Sequence, residues 1–146
     1  MGSSKIYNKE KMKRVNTLGS ITKSLFFIYV IGILSIMVFT IHTEEINAPD
    51  YILGIAIDKV VHFIVFLPYP FLLWLAFNKR FSRYKNLFVC CLVPVTGLIF
   101  AIATEFLQSV NPARDFDYYD ILANILSIIF ASIVLNVIYF LNDRSR

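Results

Sequence analysis

Residues 60–77 read VVHFIVFLPYPFLLWLAF, a stretch without a single Asp, Glu, Lys or Arg. It is close to the roughly 20 apolar residues that a helix needs to cross about 30 Å of hydrocarbon. Three more runs of the same kind can be read along the chain: Leu25 to Ile41, Leu87 to about Leu107, and Ile121 to Leu141. Overall 58% of residues are hydrophobic, 16% are charged and the mean hydropathy is +0.67, against about 25% charged residues in an ordinary soluble domain. The pattern predicts an all-α, polytopic membrane protein: a bundle of four transmembrane helices at about 25–41, 60–77, 87–107 and 121–141. In a chain of 146 residues this leaves a basic N-terminal arm, 1–24, and a short tail, 142–146. The first run is read as a retained helix. It is long for the apolar region of a signal peptide, and His42-Thr43-Glu44-Glu45 offers no small-residue cleavage pattern.

The basic residues set the expected orientation. Lys5, Lys9, Lys11, Lys13, Arg14 and Lys23 precede the first run; Lys79, Arg80, Arg83 and Lys85 separate the second from the third; Arg144 and Arg146 end the chain. Only Lys59 and Arg114 fall on the other side, among Glu44, Glu45, Asp50, Asp58, Asp115, Asp117 and Asp120. By the positive-inside rule both termini are cytoplasmic, and the chain sits in the cytoplasmic membrane as a multi-pass protein. This asymmetry accounts for the net charge of +4, so nucleic acid is not an expected partner.

Three of the apolar runs carry polar groups near one end: Asp58, Lys59 and His62; Glu105 and Gln108; Asp120 and Asn124. The second and fourth helices start on the outer side and the third ends there. Glu105 is about 27 Å of helix from Leu87, and His62 and Asn124 are each about 6 Å inside Asp58 and Asp120, so the groups share one depth. Gly97, Ala101 and Glu105 recur every four residues, and Asp120, Asn124, Ser127 and Ala131 follow a helical stripe. Small residues in these stripes mark helix contacts, which turns Glu105 and Asn124 toward the bundle interior.

Each polar group has two readings. Asp58 and Asp120 stand immediately before apolar runs and suit N-caps, with or without a further role in a site. Lys59 either reaches toward lipid phosphates or joins a site. Glu105 is at the helix end that the dipole disfavours and needs a partner, for which His62, Lys59 and Arg114 are the candidates; the result is either an ion pair locking two helices or a functional group. Arg114 follows Asn111-Pro112-Ala113, a turn able to aim a guanidinium over the helix ends, where its planar fork either takes a phosphate or carboxylate ligand or forms a salt bridge within the outer loops.

In order along the chain, Asp58-Lys59-Val60-Val61-His62-Phe63, Glu105-Phe106-Leu107-Gln108, Pro112-Ala113-Arg114 and Asp120-Ile121-Leu122-Ala123-Asn124 resemble the successive motifs of VanZ-like membrane proteins. The resemblance covers roughly the middle half of the chain, Asp58 to Ser127. Ala113 and Ser127 stand where the family often has Gly. The resemblance implies a place in the bacterial cell envelope and, through the founding member, an association with glycopeptide (teicoplanin) resistance; it implies no particular reaction.

Other chemistries find little support in the residues. Cys90 and Cys91 lie about 22 Å of helix from Glu105 and do not form a Cys-x-x-Cys pair. No cofactor and no metal site is expected, because His42, His62 and Glu105 are the only set that suggests itself as ligands. No glycine-rich phosphate loop is present in the sequence. Two functions remain. In the first, an outward-facing pocket of Asp58, Lys59, His62, Glu105, Gln108, Arg114, Asp120 and Asn124 binds an anionic partner, a membrane lipid or lipid-linked envelope intermediate. In the second, His62 and Glu105 act as acid and base on a lipid-linked phosphate, with Arg114 and Lys59 holding the phosphate. Homo-oligomerisation is compatible with either.

Overall fold

The computed structural model describes residues 2–38, 51–52, 54–110 and 116–144. The chain is mostly helical, and four of its helical stretches are long and apolar enough to cross a membrane: Asn16–Ile36, Ile57–Phe77, Lys85–Gln108 and Tyr118–Asn142. His42, Glu44 and Glu45, with the whole turn Asn111 to Arg114, lie outside the described residues.

Helix α1, Gly2–Val38, is longer than the apolar run that announces it, and the segment read as an arm is its first half. Lys, Glu, Arg and Met are good helix formers and no proline interrupts residues 2–24, so nothing local stops the helix before the apolar part. Two strands, β1 (Tyr51–Ile52) and β2 (Ile55–Ala56), then pair antiparallel, with Gly54 at φ 80 in the turn between them. This small hairpin was not foreseen. It delivers the chain into α2 (Ile57–Phe66) from Ala56, whose extended backbone precedes the first turn.

Proline breaks each of the two central spans. Pro68 has no N–H for the ladder, so the second span is two helices, α2 and α3 (Tyr69–Phe77), joined at Leu67-Pro68. Here the phenol of Tyr29, on α1, donates to the Val65 carbonyl at 2.6 Å. The third span opens with a single turn, α4 (Lys85–Leu87), continues through a π-helical turn at Phe88–Leu92, and becomes regular in α5 (Val93–Gln108). Pro94 cannot donate to the carbonyl four residues back, and a π turn immediately before it is one way to accommodate that loss. The last helix, α6 (Tyr118–Arg144), is unbroken.

Helix α6 packs against α2, α3 and α5, and α1 lies against α3 and α5. Relative directions follow from side-chain contacts. The start of α6 meets the start of α2, where the Ser127 hydroxyl donates to the Phe63 carbonyl at 2.6 Å. Its far half meets the start of the third span, through Cys90 Sγ to Asn136 Oδ1 (3.2 Å) and Tyr139 Oη to Asn86 Oδ1 (3.0 Å). The second and fourth spans therefore run together and the third runs against them. Two apolar clusters fill the bundle: Phe26, Tyr69, Leu73, Phe88, Val89, Val93 and Leu135 toward one end, and Ile33, Phe66, Ala101 and Ile128 nearer the polar groups. Large apolar side chains also cover the outside, including Ile28, Ile31, Ile64, Ile99, Phe106 and Leu141. Water would penalise such a surface; lipid would not.

Gly97 sits where α5 crosses α6. A Cβ placed there would lie 2.8 Å from Ile128 Cγ2 and 3.2 Å from Tyr69 Cδ1, and Ile128 is fully buried with no room to retreat. Gly97→Ala should therefore lower stability by roughly 1–3 kcal/mol through overpacking. Gly32→Ala, whose Cβ would meet nothing within 4 Å, should not. Thermal unfolding of both variants in one detergent checks the contrast.

Candidate functional site

The structure brings the polar ends of three spans together in two layers. The outer layer is built around Lys59, in the first turn of α2. Its ammonium lies 2.6 Å from Asp58 Oδ2, 2.5 Å from Asp117 Oδ2 and 2.7 Å from Asp120 Oδ1. An ammonium has three protons, and here three carboxylates surround it. The Asp120 contact is an ion pair without the direction of a hydrogen bond. The Lys59 side chain is only 18% exposed, so it does not reach out toward lipid phosphates: the three carboxylates hold it.

The caps differ from those read in the sequence. Helix α2 begins at Ile57, which places Asp58 within the first turn; its Oδ1 accepts the Lys59 N–H at 2.9 Å, and the residue before the helix, Ala56, offers no side-chain cap. At α6 the cap is Asp117. Its carbonyl accepts from Asp120 and Ile121, and its Oδ1 accepts the Tyr119 N–H at 2.7 Å. Asp120 is thereby moved into the first turn, where both oxygens are available to α2. The sequence reading counted Asp117 only among the acidic residues of the outer side. Its position three residues before Asp120, ahead of the paired tyrosines, was the signal for a helix starting earlier. The Lys59 hydrogen bond holds the Asp117 carboxyl below the usual carboxylate range, against a smaller opposing effect of burial.

The inner layer is buried. His62, Glu105, Gln108, Asp120 and Asn124 are all buried, none more than 9% exposed. His62 Nδ1 lies 3.1 Å from Asn124 Oδ1, and its Nε2 lies 3.5 Å from Asp120 Oδ2. Glu105 Oε1 accepts the backbone N–H of Asp117 at 3.0 Å, tying the end of α5 to the cap of α6. One ligand atom each from His62, Glu105 and Asp120 lies within 4.8 Å of the other two. The stripes expected to face inward do so: Gly97, Ala101 and Glu105 on α5, and Asp120, Asn124, Ser127 and Ala131 on α6. Asp58 is the outlying member, with its side chain 48% exposed. Arg114, expected at the site, lies outside the described residues; it precedes Asp117 by three residues, at most about 11 Å of chain.

Burying so many polar groups is costly unless they satisfy one another, and a charge costs more than a neutral donor or acceptor. Asp120 joins the two layers, with Oδ1 toward Lys59 and Oδ2 toward His62. The arrangement is able to hold a proton or cation between the imidazole and the carboxylates, and to present a polar surface to a headgroup at the end of the bundle.

No family model matches the chain, and no solved structure matches it. Among curated proteins it is 38% identical over 82 residues to an uncharacterized protein of Schizosaccharomyces pombe, a match covering 56% of this chain and 48% of the yeast protein. The match thus spans about half of that relative's length.

Removing the Lys59 cation leaves three carboxylates facing one another. Lys59→Met should cost about 3 kcal/mol, the low end for breaking a buried pair, whereas Asp58→Asn, at a half-exposed partner, should cost under about 1 kcal/mol; denaturant unfolding measures both. Asp117 gives a pH signature. Its folded-state carboxyl titrates below the unfolded value near 3.9, so its contribution is complete above that value and is lost as pH falls through the lower folded value. Acidification below about pH 4 should lower the unfolding temperature of the native chain, and Asp117→Asn should reduce that part of the drop.

Proposed function

We propose that the chain is a multi-pass membrane protein, with both termini cytoplasmic, whose buried polar cluster lies near the opposite face and binds an anionic lipid or lipid-linked intermediate of the cell envelope. The observation that carries this reading is the convergence of His62, Glu105, Gln108, Asp120 and Asn124, from three apolar spans, in one buried group. Ionisable side chains are rare in such spans, and those present usually mark a ligand path or a site. The orientation is supported by the distribution of charge. Lys23, Lys79 and Arg80 line one cleft at the end of the bundle away from the cluster, and so gather basic residues from two segments.

Lys59 is committed to three carboxylates, so in this reading it positions the cluster and does not hold the headgroup. The guanidinium of Arg114, close to Asp117 in the chain, is the group of this sequence suited to take a phosphate. Three of the four motifs of the VanZ-like resemblance carry residues that converge here, which supports a kinship with those proteins. A link to teicoplanin resistance rests on that resemblance alone. A similar stretch in a eukaryotic protein favours a lipid headgroup over a component confined to bacterial walls.

A second reading is favoured by the grouping of His62 and Glu105, whose ligand atoms lie within 4.8 Å of one another. There the same site performs acid-base chemistry on a lipid-linked phosphate.

Native mass spectrometry of the purified chain with its co-purifying lipids tests both. The protein should carry a phospholipid or polyprenyl-phosphate adduct that Arg114→Ala loses; identical adducts on the two would remove the headgroup role. Glu105→Gln should keep the adduct under either reading, and only an enzyme should lose turnover of the identified lipid. A reporter fused after Arg146 should read out as cytoplasmic, and a translocated reporter would overturn the orientation.

A further inference from the structure

Asp120 takes part in two groups of possible cation ligands. In one, Asp58, Asp117 and Asp120 surround a cation that the chain supplies, the Lys59 ammonium. The other, His62, Glu105 and Asp120, comes from three different spans, and all three residues are buried.

The imidazole shows what this second group lacks. Asn124 Oδ1 faces His62 Nδ1 at 3.1 Å, and with the amide in this orientation the tautomer that satisfies it carries its proton on Nδ1. In the neutral ring Nε2 then presents a lone pair to Asp120 Oδ2 at 3.5 Å. Two atoms presenting lone pairs to each other in a buried site repel unless a proton or a metal ion lies between them. Asn124 itself is fully buried, and its Nδ2 has no hydrogen-bond partner among the described residues. The amide is thus positioned through its oxygen alone, at the cost of an unsatisfied donor. That arrangement matches the way an outer-shell group fixes the tautomer of a metal-binding histidine.

We propose that His62 Nε2, Glu105 and Asp120 form a divalent transition-metal site of the zinc class, with Asn124 orienting the imidazole. One nitrogen and two carboxylate ligands favour zinc, manganese, iron or cobalt over magnesium and calcium, which prefer oxygen alone. Three protein ligands leave a fourth position open to water or another oxygen ligand. The carboxylates have outer partners too: the Asp117 N–H on Glu105 Oε1, and Lys59 on the other oxygen of Asp120. With bonds of about 2.0–2.2 Å to a tetrahedral ion, ligand atoms within 4.8 Å of one another need to close by roughly 1 Å. The sequence suggested only His42 as a third ligand; the fold supplies Asp120 instead. The site stands on its own geometry, and it would also bring to a carboxylate-rich pocket the positive charge that a phosphate requires.

The test uses the full chain in detergent, stripped with chelator and titrated with Co2+ and then Zn2+, with no lipid added. Roughly one equivalent of Co2+ should bind, giving visible d–d absorption that Zn2+ displaces. His62→Gln and Glu105→Gln should weaken binding by about 100-fold or more, and Asn124→Ala by about 10–100-fold, while Gly32→Ala, whose added Cβ meets nothing within 4 Å, should leave it unchanged. Absence of cobalt absorption in the wild-type chain overturns the site. Wild-type affinity in both His62→Gln and Glu105→Gln overturns it equally. Should those variants fail to fold, the wild-type titration decides alone. A lipid adduct without metal binding, or metal binding without an adduct, separates this inference from the headgroup reading.

Discussion

One ammonium holds the polar end of the bundle together. Lys59 reaches Asp58 beside it, the cap of α6 at Asp117 and the inward-facing Asp120, and these contacts fix where α6 starts relative to α2. Everything deeper follows from that alignment. His62 faces Asn124 and Asp120, Phe63 lends its carbonyl to Ser127, and Phe66 meets Ile128 in the apolar layer below. In a hydrocarbon surrounding, a slip of one turn, about 5.4 Å, would separate Lys59 from two of its carboxylates and leave those charges without a counter-ion. The register of the two spans is thus set by electrostatics at the end and maintained by packing along the length.

Asp117 and Asp120 divide the work that the sequence assigned to a single residue. Had Asp120 been the cap, its carboxylate would have been spent on the orphan amides of its own helix. With Asp117 in that role, Asp120 is free to turn both oxygens toward α2. The same residue, Asp117, donates its backbone N–H to Glu105, so the cap of α6 also receives the end of α5. A carboxylate at a helix C-terminus, on the unfavourable end of the dipole, is accommodated because another chain segment supplies the donor.

Much of this was legible before any coordinates. Four apolar runs gave the four helical stretches, and the spacing of Gly97, Ala101 and Glu105 and of Asp120, Asn124 and Ser127 gave the buried faces, because helical periodicity survives whether the outside is lipid or water. Three things were hidden. The first half of α1 is helical without being apolar, so hydropathy does not detect it. The cap at Asp117 lay inside a run of acidic residues where any of several could serve. The partners of Lys59 depend on which residues of distant segments come within an ammonium's reach, and periodicity within one helix carries no information on that.

The distribution of charge limits what the site can accept. Lys59 already answers three carboxylates, so an anion approaching the cluster meets no unspent positive charge from that side chain. A phosphate would have to be met by another cation, and two sources fit the chemistry: the Arg114 guanidinium, from the segment between Glu105 and Asp117, or a metal ion on His62, Glu105 and Asp120. The two are not exclusive, since a fork that binds phosphate oxygens and a metal that takes one of them act on different faces of the same group. Either way the conserved quantity is local neutrality. A cluster with several acids and one committed lysine, set among apolar spans, is stable in lipid only when its remaining negative charge is matched by something bound or by protons.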